Sequence, residues 1–176
     1  MKTTPWGRRF KQQPMTESTF SPETHRFSES RYFEDLQVGE RFYIPSRTIS
    51  EALFTAFQAA SGDNHPIHYD REYCRARGHR DLLAHGFQVL IQTAAGAGSF
   101  PHVIGDALIG FIEQWSRFLR PVYAGDTLYP LLTISKLQSQ STTGVVTLRA
   151  TVHNQKGELC LEGEQEYLLR KKNPDP

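Results

Sequence analysis

Apolar residues follow three different spacings along this 176-residue chain, and each spacing predicts a different kind of element. Residues 1–30 carry no hydrophobic period, are polar and contain Pro5, Pro14 and Pro22. Such a stretch is expected to be a flexible arm, or a segment laid over a partner subunit. The folded domain is expected over residues 31–172, opening at Tyr32-Phe33-Glu34-Asp35-Leu36. Gly39 turns the chain into a first strand near residues 41–44. Thr48 to Glu51 fits a capping box, in which the hydroxyl and the carboxylate each satisfy a free helix N–H. That predicts a helix through Ala60, with Leu53, Phe54 and Phe57 at helical spacing and Ser61-Gly62 as its stop. Pro66 prevents regular helix over 63–70, and a short helix is expected from Arg71 to Arg77, ended by Gly78.

After Gly86 the period is clearest. Phe87, Leu90, Ile91, Ala94, Ala95 and Gly98 form one apolar stripe of a single helix. Its small second half suits close approach to neighbouring backbone, so this helix is expected to be central, with Phe87 and Leu90 in the core. Beyond it the spacing changes to two. Val146, Leu148, Ala150 and Val152 alternate with polar residues, and Leu159 and Leu161 follow a turn at residues 154–157. These runs predict a hairpin. Leu128, Leu132 and Ile134 share a face of an earlier strand, in which Pro130 predicts a bulge or an edge. A further strand is expected over 111–119. One strand, several helices and then four strands describe an α+β domain, an antiparallel sheet wrapped around a central helix.

Composition narrows the function. There are 20 Lys and Arg against 19 Asp and Glu, which argues against a nucleic-acid partner. No apolar run is long enough to span a membrane. Lys2, Arg8, Arg9 and Lys11 hint at a transit peptide, but Pro5, Pro14, Glu17, Glu23 and Glu29 oppose it. Cys74 and Cys160 are far apart and belong to no C-x-x-C pair, which points to free thiols and a cytoplasmic location.

The chemistry-bearing stretch is Gly62-Asp63-Asn64-His65-Pro66-Ile67-His68. A carboxylate and an imidazole on one proline-stiffened loop can hold a water between them and move its protons. The same residues also fit an Asx turn followed by a structural histidine. Further on, Ala84-His85-Gly86 opens the small-residue helix. The first N–H groups of a helix lack internal partners, so the one at Gly86 is a candidate donor to a carbonyl oxygen. An ordinary tight turn would use the same glycine. His65, His68, His79 and His85, with Asp63 and Asp70, raise the question of a metal, but no recognised ligand spacing supports one and none is expected. Arg117, Arg120 and Lys136 are candidates for phosphate contacts, or members of solvated strand faces. Phe111 and Trp115 suit either a tunnel or a core.

Taken together, residues 62–68, the segment Phe33-Glu34-Asp35-Leu36-Gln37-Val38-Gly39, the Ala84-His85-Gly86 helix start and Phe118-Leu119-Arg120-Pro121-Val122-Tyr123-Ala124-Gly125-Asp126 resemble the MaoC-like dehydratase family, which includes (R)-specific enoyl-CoA hydratases. The likeness runs from about residue 32 to 170. Its motif reads Gly-Asp-any-Asn-Pro-aliphatic-His, and His65 stands where Asn is common. The resemblance implies a hotdog fold and a homodimer binding acyl-CoA near the subunit interface. It implies Asp63 and His68 as the acid/base pair and the Gly86 N–H as the oxyanion donor. The implied reaction is reversible hydration of a trans-2-enoyl thioester to an (R)-3-hydroxyacyl thioester, with CoA entering only as part of the substrate and no other cofactor. A hotdog thioesterase and a non-catalytic acyl-CoA-binding subunit are the alternatives.

Overall fold

In the computed structural model, residues 21–173 are described, and most of the N-terminal arm lies outside them. The sheet is formed by β1 (Arg41–Tyr43), β2 (Arg47–Thr48), β3 (Leu108–Phe118), β4 (Thr127–Ser139), β5 (Thr143–Asn154) and β6 (Leu159–Arg170). All pairings are antiparallel, in the order β1-β4-β5-β6-β3, with β2 also beside β4. Between β2 and β3 the chain makes α1 (Glu51–Ser61), α2 (Arg71–Arg75), α3 (Gly86–Leu90) and α4 (Phe100–Ile104). This is the α+β antiparallel arrangement expected from the pattern, in the hotdog form that the family resemblance implies.

The period-two strands bury the predicted faces. Val146, Leu148, Ala150 and Val152 point inward from β5, and Leu128, Leu132 and Ile134 from β4. Asn154 shapes the β5–β6 turn, its Oδ1 accepting from the N–H groups of Lys156 and Glu158. Pro130 makes neither a bulge nor a free edge. It pairs in register with Val152, and on its other side, just past the end of β1, its carbonyl accepts from the Ile44 N–H at 3.3 Å while its nitrogen donates nothing. The bulge in this pair lies instead between Ile134 and Lys136.

The helices depart from expectation in two places. Helix α1 is capped at Ser50 rather than Thr48. Thr48 belongs to β2, where its hydroxyl meets that of Thr127 at 2.9 Å, and Glu51 turns to Arg71. Gly62 ends α1 in the left-handed conformation, φ 72°, as the stop signal implies.

The second departure is larger. The stripe after Gly86 is not one helix: α3 spans five residues, followed by 3-10 turns at Ile91–Thr93 and Ala95–Ala97, with Ala94 leaving helical angles between them. Side chains take the carbonyls that a continuous helix would use. Gln165 Nε2 donates to the Thr93 carbonyl at 3.0 Å, and the Thr93 hydroxyl donates to the Leu90 carbonyl at 2.8 Å. Gly98 lies so close to β1 that a Cβ there would sit 2.9 Å from the Tyr43 carbonyl oxygen. The buried face is also only partly the expected one: Ala95 is buried and Leu90 is half-buried against the core. Gln88, Val89, Gln92 and Thr93 face inward, whereas Phe87 is 70% and Ile91 52% exposed.

Two apolar clusters fill the interior. One joins Phe33, Phe42, Phe100 and Ile104 to the middle of β4, β5 and β6. The other joins Ile49, Phe54, Cys74, Leu82, Val89 and Val122 to Leu128, Val152 and Leu161, and it underlies the loops that carry the site. Gly163 on β6 faces Ser116 and Ala150, and a Cβ there would lie 2.2 Å from the Trp115 carbonyl oxygen. Backbone cannot yield as a flexible side chain does. Gly163→Ala is therefore expected to cost about 2–3 kcal/mol, lowering the melting temperature by about 5–10 °C in a thermal unfolding experiment.

Candidate active site

The site is assembled from two short segments locked together by backbone. Residues 63–68 leave the left-handed Gly62 and run into a 3-10 turn at Pro66–His68. Residues 82–86 lead into α3. The Leu83 N–H donates to the Ile67 carbonyl at 3.0 Å, and the Leu83 carbonyl accepts from His68 Nδ1 at 2.6 Å. On its other side the second segment is laced to the chain after β3: Ala84 N–H donates to Val122 O and Ala124 N–H to Leu82 O. Asp126, 3% exposed, anchors that stretch by accepting from Arg80, the Tyr123 N–H and Gln155. Burial pushes its carboxyl up, but the hydrogen bonds from Gln155, Tyr123 and Arg80 outweigh burial and hold it below the usual carboxylate value.

This lacing places His68 Nε2 3.8 Å from Asp63 Oδ2. Because Nδ1 donates to the Leu83 carbonyl, the neutral imidazole presents an unprotonated Nε2 to the carboxylate side of the loop. A water fits the chemistry of that gap, with one acceptor at each end. The His68 side chain is 12% exposed and that of Asp63 50%, so the imidazole is the shielded partner. Burial is the main reason His68 titrates below 6.5. Its neighbours His85 and His65 push in the same direction, against the Leu83 carbonyl and Asp63.

His65 occupies the motif's Asn position and does a carboxamide's work. Its Nδ1 accepts the Ile67 N–H at 3.3 Å, capping the 3-10 turn, while its own N–H donates to Asp63 Oδ1 at 3.4 Å. A ring nitrogen here stands in for a carboxamide oxygen.

His85 is the residue that sequence reasoning undervalued. It is 2% exposed and stacks on His68, with ring centroids 3.7 Å apart and planes at 22°. Its Nε2 lies 3.1 Å from the Asp63 carbonyl. The available signal is its place beside Gly86 at the start of α3. Asp63, His68 and His85 offer ligand atoms within 4.8 Å of one another. Two nearly parallel stacked rings, however, cannot aim their in-plane lone pairs at one ion, and a ring nitrogen of each is engaged by a backbone carbonyl, so the set does not fit a metal.

Gly86 opens α3 and lines a groove of about 330 Å³ with Leu83, Ala84, Val89 and residues 118–122. A Cβ on Gly86 would lie 3.3 Å from the Phe118 ring. Since α3 is little more than one turn, the N–H itself matters here more than a macrodipole. Of the three cationic candidates, Arg120 borders this groove and a neighbouring hollow of about 200 Å³ shared with Arg80 and Lys156. Arg117 lies beside Glu162 at 4.0 Å, and Lys136 is exposed on β4. Phe111 lines a separate apolar hollow of about 330 Å³ with Leu90, Ile91 and Tyr167, whereas Trp115 donates to Glu164 at 3.2 Å. Neither is core: they are 55% and 44% exposed.

Comparison with known proteins agrees with this architecture. The MaoC like domain family model matches residues 35–156, and the chain belongs to that family. A UPF0336 protein of Streptomyces griseus is 33% identical over 133 residues, covering 72% of this chain and 87% of the relative. A mesaconyl-CoA hydratase of Cereibacter sphaeroides is 30% identical over 81% of this chain, which spans 42% of that enzyme. Among solved structures, a monoamine oxidase regulatory protein from an Archaeoglobus species has a TM-score of 0.75 at 31% identity, covering 82% of this chain and 97% of that one. The R-hydratase PhaJ1 from Pseudomonas aeruginosa has a TM-score of 0.67 at 27% identity, covering 80% and 86%.

The capping role of His65 can be tested by stability alone. His65→Ala should cost about 0.5–1 kcal/mol and lower the melting temperature by about 1–4 °C. His65→Asn, which restores an acceptor for the Ile67 N–H, should recover most of the loss.

Proposed function

We propose that this chain hydrates and dehydrates an acyl thioester, interconverting a trans-2-enoyl-CoA and an (R)-3-hydroxyacyl-CoA. The observation that carries this reading is the Asp63–His68 pair, 3.8 Å apart, with the imidazole tautomer set by the Leu83 carbonyl. The likeness to a mesaconyl-CoA hydratase and to an R-hydratase supports the substrate class.

In hydration, the pair holds one water beside C3 of the enoyl group. One member of the pair takes a proton as the water oxygen bonds to C3. The C2–C3 π electrons move toward the thioester, whose oxygen gains charge as an enolate. The Gly86 N–H donates to that oxygen. The enolate collapses as C2 takes a proton from the same site, and dehydration is the reverse. The thioester itself acidifies the C2 proton, so the steps call on neither a redox cofactor nor a metal. The groove beside Gly86 takes the thioester end of the substrate, with Arg120 at its border available to a carrier phosphate.

The assembly we infer is a homodimer. Strand β3 is a sheet edge, and Ile109, Phe111, Ile112 and Phe118 along it are each about half exposed, as is Ile91, which lines one hollow with Phe111. That much apolar surface on an edge calls for a partner, and a second copy is the occupant in keeping with the fold. No helix among the described residues is long and apolar enough to cross a membrane. Cys74 and Cys160 are free and buried, which supports a reducing, cytoplasmic setting.

Two measurements test the proposal. Loss of enoyl absorbance with crotonyl-CoA should be catalysed by the wild type and fall by about 10²–10⁴-fold in Asp63→Asn and in His68→Gln, both folded. The rate should hold through neutral pH and decline only below 6.5, because protonation of His68 removes the acceptor and its pKa is lowered. Release of free CoA without hydration would indicate a thioesterase instead, and binding without turnover a non-catalytic subunit. Separately, Ile112→Glu should convert the dimer to monomer in sedimentation velocity at micromolar concentration.

A further inference from the structure

His85 touches both halves of the catalytic pair without lying between them. Its Nε2 is 3.1 Å from the backbone carbonyl of Asp63, and its ring lies flat against His68. Behind it, Phe57 on α1 packs with ring centroids 4.8 Å away and Phe54 at 6.0 Å. The imidazole is thus held between the phenyl rings of α1 and the ring of His68.

Its hydrogen bonds define the tautomer. A carbonyl only accepts, so Nε2 carries the hydrogen that goes to Asp63. Nδ1 faces the Gln88 side-chain amide at 3.1 Å. With the amide oxygen toward the ring, Gln88 Nε2 is left buried with no acceptor, in a residue 1% exposed. Reversing the amide turns that nitrogen toward Nδ1, which then accepts, and the imidazole is neutral. Buried N–H groups without partners are rarer than under-satisfied oxygens, so the reversed amide is the better assignment.

We propose that His85 is a positioning residue: a neutral, Nε2-protonated imidazole, oriented by Gln88, that clamps the Asp63 backbone and braces the His68 ring so that the two catalytic groups keep their separation. The role rests on the hydratase reading, since it is for that reaction that the separation matters. His85 reaches no reacting atom itself. It acts through the backbone of one partner and the ring face of the other. Gln88 follows it by one helical turn in α3, so the helix that presents the Gly86 N–H also fixes the brace.

Nitrogen-15 NMR on the histidines of the wild-type protein is the first test, because it needs no turnover. His85 should show a protonated Nε2 and an unprotonated Nδ1 at neutral pH. A protonated Nδ1 in that spectrum would overturn the assignment. Kinetics with crotonyl-CoA then read the clamp. His85→Leu should lower kcat by about tenfold or more with KM within about threefold, as expected when catalytic groups are misplaced but binding is intact. His85→Gln, whose amide reaches the Asp63 carbonyl, should recover a substantial part of kcat. A folded His85→Leu with wild-type kcat would overturn the proposal. So would a loss that appears in KM alone, or a His85→Gln no better than Leu. Should His85→Leu not fold, the NMR result and His85→Gln decide the matter. A wild type that hydrates nothing, yet shows the stated tautomer, would sink the hydratase reading and leave the geometry of the brace standing.

Discussion

The site depends on one peptide unit pair at Leu83. Its N–H is given to Ile67 and its carbonyl to His68, so the segment before α3 grips both the backbone and the side chain of the motif loop. Without the first bond the loop has no fixed distance from α3. Without the second, the His68 ring has no fixed tautomer. Because both come from one residue, the loop is held in position and in rotation at once. The neighbouring N–H, Ala84's, goes to Val122 and completes a short ladder that reaches across to the region anchored by Asp126.

Polar burial organises the middle of the molecule in an unusual way. Gln88, Gln92, Thr93 and Gln165 are all under a tenth exposed, and the bonds from Gln165 to Thr93 tie the segment after α3 to β6. Buried amides are costly unless paired; Gln165 bonds to the Thr93 carbonyl at the break in the helix, Gln92 to the Gln88 carbonyl, and Gln88 to the His85 ring. Phe87 and Ile91 lie on the outside instead, Ile91 beside Phe111 on the edge strand β3. Polar ties inside and apolar surface outside both belong to the same broken segment.

Much of the fold was legible because its signals are local. Gly62 and Gly78 end α1 and the turn after α2 at positive φ, and alternation in β5 marks the face it buries. Asp63 and His68 could be placed on one loop because Pro66 excludes helix there, and the structure does bring them together. What was hidden depends on partners distant in the chain. The cap at Ser50 follows from Thr48 being drawn into a strand pair with Thr127, 79 residues away. The break after Leu90 follows from Gln165, 72 residues beyond Thr93. The importance of His85 lies in a stack and a carbonyl contact that no spacing announces. The apolar stripe misled for a related reason: a period identifies a face that shuns water, not whether the covering surface belongs to the same chain.

The ladder through Val122 has a consequence for biosynthesis. Asp63, His68 and Gly86 are all encoded in the first half of the polypeptide, but the backbone groups of Val122 and Ala124 that align Ala84 and Leu82 leave the ribosome about forty residues after those two. A nascent chain that stops at the end of β3 carries Asp63, His68 and Gly86 and lacks the ruler that spaces them. The spacing of the site is therefore set late in synthesis, only after β3 and the segment beyond it have been made.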